Sequence, residues 1–169
     1  LSNVGPHASS ESMAGAAIAA LRLLGKSEAA CEAAVTRAVW PARMQRLKHG
    51  PLVDSAPGVE LWLDGGHNPA GGEAIAATLS AMAPRPTHAI CGMLNTKDIG
   101  GYLRPLAPHL QSLHAVSIPG EANTLPAAMT AEAAQAAGIK ASAATSVATS
   151  TGVLPARKSR MMLLRWLWL

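Results

Sequence analysis

An apolar run ending on an acid is followed by two glycines, a histidine and an Asn-Pro pair: Leu61-Trp62-Leu63-Asp64-Gly65-Gly66-His67-Asn68-Pro69. Gly71, Gly72 and an Ala-rich helical pattern come next. These residue types predict a strand, a tight turn and a helix start, with a carboxylate and an imidazole gathered at the turn. In an open α/β sheet, ligands sit beyond the carboxyl ends of the strands. A helix N-terminus offers N–H groups and a positive dipole end to an anion. Asp64 there can accept hydrogen bonds from a ribose or an amine; an Asx turn explains an acid in this place equally well. His67 can bond a phosphate or a reacting carboxyl group, although a loop histidine is ordinarily just solvated. Asn68-Pro69 is sufficiently explained as helix cap and first turn. Arg43, in Trp40-Pro41-Ala42-Arg43, carries a fork that matches phosphate oxygens and can reach phosphates held between two domains. The local pattern alone favours an ordinary exposed arginine. Gly92-Met93-Leu94-Asn95-Thr96-Lys97-Asp98 adds further polar residues after a second strand pattern.

Other chemistries lack their motifs. The sequence has no GxxxxGK[ST] phosphate loop, no GxGxxG fingerprint and no Gly-x-Ser-x-Gly nucleophile turn. A dinucleotide oxidoreductase is therefore a weak reading, and a complete nucleotide-hydrolysing site is not expected. His49, His67, His88, His109 and His114 have no ligand-type spacing, so no metal site is expected. The net charge of +4 comes entirely from Arg157, Lys158, Arg160 and Arg165 in residues 151–169, which hold no acid. The remainder is balanced, without the basic face that nucleic-acid binding needs. Cys31 and Cys91 read as buried free thiols. With no apolar stretch long enough to span a bilayer and no signal-peptide pattern, a cytoplasmic, membrane-free monomer is expected.

The elements that must position these residues alternate. Helical patterns cover 12–24, capped by Ser9 or Ser10 and stopped by Gly25, and 27–40, capped by Ser27. Residues 41–58, rich in Pro and Gly, read as an extended linker. Then come strand 59–64, helix 69–83, strand 87–92, helix 97–109 capped by Thr96, strand 113–118 and helix 126–137 stopped by Gly138. This rhythm predicts a small Rossmann-like parallel sheet with helices on both faces. The expected organisation is a helical remnant over 1–40, the linker over 41–58, an α/β domain over 59–150 and an atypical basic, Trp-rich tail over 151–169. Two of the five aromatic residues, Trp166 and Trp168, fall in the last four positions. The tail's abrupt change of composition predicts a segment outside the fold, as a reading-frame change would produce.

Asp64-Gly65-Gly66-His67-Asn68-Pro69 resembles the D-G/V-A/G-H-N-P signature of folylpolyglutamate synthase/dihydrofolate synthase, a branch of the Mur ligase family. Trp40-Pro41-Ala42-Arg43-Met44-Gln45 resembles that family's P-G-R-x-Q linker. Gly92-Met93-Leu94-Asn95-Thr96-Lys97-Asp98-Ile99 resembles its G-M-L-x-x-K-D segment, and Ala16-Ala17-Ile18-Ala19-Ala20-Leu21 the helix closing its central ATPase domain. The four segments occur in the family's order and cover roughly residues 12–140. The resemblance implies magnesium-ATP bound between a P-loop domain and a C-terminal Rossmann-like domain. It implies phosphorylation of a dihydropteroate or folate carboxylate, and attack of L-glutamate on the acyl phosphate. It places Arg43 on the ATP phosphates, Asp64 on the nucleotide and His67 beside the phosphoryl group. The P-loop, the Mg2+ ligands and most of the folate surface would belong to a domain missing here, leaving the chain a fragment that is inactive alone. The alternative is a non-catalytic, truncated or decayed nucleotide-binding module. Two departures stand out: Met13 takes the place of an ATP-contacting Asn, and Ala42 that of the linker's Gly. The family's closing strand has no visible counterpart in residues 153–169.

Overall fold

The computed structural model describes residues 8–39, 41–144 and 158–165. Trp40, Trp166, Trp168 and most of the expected low-complexity run 141–152 lie outside them. The chain divides into two compact units, Leu1–Pro41 and Ala42–Leu169.

The first unit is a helical hairpin of α1 (Ala8–Leu23) and α2 (Glu28–Thr36). Gly25, at φ 68°, ends α1 in the left-handed conformation that lacks a Cβ penalty. Ser27 caps α2, its hydroxyl accepting from Ala30 N–H at 3.3 Å. The helix begins at Ala8, before Ser9 and Ser10. Arg22 and Glu28 form a two-pronged pair across the turn, at 2.8 and 2.7 Å.

The second unit holds a six-stranded sheet in the order β1-β2-β6-β3-β4-β5. Its strands are β1 (Gln45–Leu47), β2 (Glu60–Asp64), β3 (Thr87–Gly92), β4 (Ser112–Ala115), β5 (Ala141–Ala143) and β6 (Arg160–Arg165). Only β1 runs antiparallel, against β2; the other five are parallel and share one carboxyl edge. The expected linker thus contains an edge strand and a short helix, α3 (Pro51–Ser55).

The largest difference from expectation is the tail. Residues 160–165 are not outside the fold: β6 lies between β2 and β3, in register from Glu60↔Arg160 to Asp64↔Leu164. Met161, Met162 and Leu164 are buried. A strand covered on both faces reads as a continuous apolar run rather than an alternation, and Met161-Met162-Leu163-Leu164 is such a run.

Right-handed crossovers from β2 through β3 and β4 to β5 place α4 (Pro69–Ala81), α5 (Ile99–Leu103) and α6 (Ala127–Ala136) on one face. Their side chains join Trp62, Ala89, Cys91, Leu113, Met162 and Leu164 in the larger core. The other face carries Leu61, Ile90, Val116 and Met161, packed by Val53 and Ala56 from α3 and its end. The helix expected over 97–109 becomes α5 plus a 3₁₀ helix, Arg104–His109, because Pro105 and Pro108 cannot donate to an α-helical ladder. Asp98, rather than Thr96, caps α5 by accepting from Gly101 N–H at 2.8 Å. β4 stops three residues early because Ile118 N–H turns away to the Thr124 hydroxyl at 2.7 Å.

Candidate functional site

The turn after β2 forms as its residues dictate. Asn68 has extended backbone, its side-chain oxygen accepts from Gly71 N–H at 2.8 Å, and Pro69 opens α4. Gly72 is needed for packing: a Cβ there would strike the backbone oxygen of Tyr102. That contact seats α4 directly on α5, which fixes where the turn sits above the sheet edge.

Asp64 is the last residue of β2 and is 4% exposed. Its Oδ1 accepts from Gly66 N–H at 2.7 Å, the i to i+2 bond of an Asx turn. Its Oδ2 accepts from Met44 N–H, also at 2.7 Å. The expectation of a carboxylate aimed at a ligand therefore meets a different geometry. Two acceptor positions of Asp64 are occupied by backbone N–H groups, and the side chain joins the turn to the segment carrying Arg43. Such charge-assisted bonds are short and strong in a buried setting.

The Arg43 segment is a tight bend. Ala42 and Met44 have φ of 55° and 43°, in the left-handed region. The bend is tied at three points: Met44 N–H to Asp64, Gly65 N–H to the Ala42 oxygen at 2.8 Å, and Ala42 N–H to Gln45 Oε1 at 2.9 Å. A residue with a Cβ in that conformation costs about 1–2 kcal/mol, and the three bonds hold it there. The outcome is that Arg43 projects from the bend as an exposed residue. Met44 is the participant that the sequence did not reveal, because it contributes a backbone N–H and not a side chain.

His67 is half-buried, with Nδ1 at 3.1 Å from the Gly65 oxygen. That bond places a proton on Nδ1. Beneath the turn, Tyr102 is fully buried, and its ring lies 3.0 Å from where a Cβ on Gly66 would stand. Burial pushes its phenol well above the ordinary range, with Cys91 and Asp64 adding to the effect. It is a packing residue that supports Gly66 from below.

The structure brings Arg43, Asp64 and His67 to one end of β2. The Gly92–Asp98 segment joins the same carboxyl edge but divides in role: Met93 and Leu94 are core, while Asn95 and Thr96 are exposed. Among the described residues, no three His, Cys, Asp or Glu gather as metal ligands. A nucleotide's phosphates do suit the donors present, an exposed guanidinium and an imidazole beside the start of the 13-residue helix α4. No described helix is long and apolar enough to cross a membrane.

Comparison with known proteins agrees with this architecture. The profile described as Mur ligase, glutamate ligase domain, matches residues 42–162. A folylpolyglutamate synthase from Lacticaseibacillus casei is 29% identical over 89 residues, which are 53% of this chain and 19% of that protein. The fold is similar to that of E. coli FolC in complex with DHPP and ADP, with TM-score 0.72 and 25% identity, covering 90% of this chain and 35% of that one. It is also similar to Mycobacterium tuberculosis folylpolyglutamate synthase complexed with ADP and AMPPCP, with TM-score 0.69 and 23% identity, covering 85% and 34%. The chain therefore belongs to the Mur ligase family, and it carries that family's glutamate ligase domain in the form found in folylpolyglutamate synthases.

Proposed function

We propose that this chain supplies one wall of the nucleotide crevice of an ATP-dependent carboxylate–amine ligase. The reaction adds L-glutamate to dihydropteroate or to a folate polyglutamate. The observation that carries the reading is the tie between Asp64 and Met44 at 2.7 Å, which fixes exposed Arg43 beside the Gly65-Gly66-His67 turn. Arg43 would hold phosphate oxygens with its planar fork, and His67 would bond the transferred phosphoryl group. Asp64 would act on the nucleotide by holding both segments in place. ATP supplies the phosphoryl group that turns a carboxylate oxygen into a good leaving group. The wall built here must also exclude water while the activated carboxylate awaits glutamate. Mg2+ would be held by the family's P-loop domain. A cytoplasmic setting accords with the two free cysteines.

The second reading, a nucleotide-binding module without catalysis, draws on Asp64, whose two oxygens are taken by backbone N–H groups rather than aimed at a reacting group. Glutamate-dependent ADP release separates the two. The chain is assayed alone and with a separately expressed P-loop domain of a folylpolyglutamate synthase. The ligase reading predicts turnover only in the mixture, lost in Arg43→Ala. Absence of turnover in both, with nucleotide binding retained, favours the module.

A further inference from the structure

The opposite edge of the sheet carries a charge imbalance unconnected with the Arg43 crevice. Glu60, Arg160 and Thr87 start β2, β6 and β3, and they pair side by side across the three strands. Among the described residues, Glu60 is the one carboxylate paired with three guanidinium groups: Arg46 at 3.2 Å, Arg160 at 3.6 Å and Arg85 at 3.8 Å. Arginine does not deprotonate in proteins, so two positive charges remain uncompensated there. Arg160 is 3% exposed. Its other bonds are long, 3.4 Å to the Thr87 hydroxyl and 3.3 Å to the Ala83 oxygen, and its buried Nε–H, the atom facing Glu60 at 3.6 Å, stands too far from that carboxylate for a hydrogen bond. Burial, with Arg85 and Arg46 adding to it, lowers the guanidinium's proton affinity while Glu60 opposes. A buried cation with poorly satisfied donors is costly. Beside it lies a cavity of about 270 Å³, bordered by Arg85, Arg160, Thr87, Ser80 and His109. Ser80 and His109 also border it: the Ser80 hydroxyl donates to the Ala76 oxygen at 3.0 Å and lies 3.4 Å from His109 Nε2.

We propose that this amino-edge cavity is a second anion site, binding a doubly charged phosphoryl oxyanion between Arg85 and Arg160, both of which border it. The charge of such an anion matches the uncompensated pair, and guanidinium forks match the paired oxygens of a phosphoryl group. The site lies roughly 13 Å from Asp64, the length of a five-residue strand, so it is distinct from the crevice above.

The test is a titration of the full chain with inorganic phosphate at constant ionic strength, followed by amide NMR shifts, and a parallel titration with glycerol phosphate. The proposal predicts saturable one-site binding with shifts centred on Ser80, Thr87 and Arg160. It also predicts affinity roughly tenfold weaker in Arg85→Gln and unchanged in Arg104→Gln, a surface control. Tighter binding of the free anion assigns the site to phosphate itself; tighter binding of the ester assigns it to a phosphorylated metabolite. Arg160→Met, if folded, abolishes binding; if it does not fold, Arg85→Gln decides, because that side chain is 36% exposed. Non-saturating shifts, or equal affinity in Arg85→Gln, overturn the proposal.

Discussion

Met44 donates its backbone N–H to Asp64 Oδ2 at 2.7 Å, across twenty residues of sequence. The second carboxylate oxygen takes Gly66 N–H at the same distance. One buried acid thereby sets both the bend that projects Arg43 and the turn that leads into α4. Asp64→Asn keeps the shape but turns one acceptor into a donor facing an N–H. Loss of charge-assisted bonds to buried donors costs about 1.5–3 kcal/mol each, so urea unfolding should show a loss of roughly 2 kcal/mol or more. A loss below about 0.5 kcal/mol, the scale of an ordinary surface change, would contradict the bridging role.

Ala42 holds φ 55° where the related linker carries Gly. Replacing it with Gly removes the left-handed penalty of about 1–2 kcal/mol but loosens the unfolded chain by about 0.4–1 kcal/mol. Ala42→Gly should therefore raise stability by a few tenths to about 1 kcal/mol, read from the urea midpoint. A drop in the midpoint would mean that the bend is not held as described.

Removing β6 should unfold the second unit. Met161, Met162 and Leu164 are fully buried, and each contributes about 1.5–3 kcal/mol. Together that is comparable with the whole stability of a domain, about 5–15 kcal/mol. A chain ending at residue 157 should lose its cooperative thermal transition by circular dichroism. Cooperative melting of that truncation would remove β6 from the folded sheet.

His88 makes the fold sensitive to acid. Its imidazole bonds the Ser112 hydroxyl at 2.8 Å, and its proton affinity is held below the ordinary 6.5 by burial and then by His114. Between the lowered folded value and 6.5, the unfolded chain binds the extra proton. This contribution is thus fully present above pH 6.5 and declines as pH falls through that window. The urea midpoint should fall from pH 7.5 towards 5.5, and His88→Gln should flatten the slope. An identical slope in the variant would clear His88 of the effect.

The sequence was most legible where one residue type has one physical use. Asn68-Pro69 marked the start of α4, Ser27 that of α2, and the apolar run ending at Asp64 marked β2. Residues 97–109 do not form one α-helix because Pro105 and Pro108 outweigh the apolar spacing. β6 is hidden in the sequence because a strand buried on both faces has no alternation, and its flanking arginines resemble an unattached basic tail. At the site, the residue types at Asp64 and Arg43 were visible. The bond through Met44 was not, since any non-proline residue can supply a backbone N–H.

Binding of ATP to the isolated chain, followed by amide NMR, tests most directly whether the carboxyl edge is a nucleotide face. The account predicts saturating shifts concentrated at Arg43, Gly65, Gly66 and His67, sharply reduced in Arg43→Ala, whose stability stays unchanged because the side chain is exposed. Saturating shifts that leave those four residues untouched, or a complete lack of response at millimolar ATP, would contradict it.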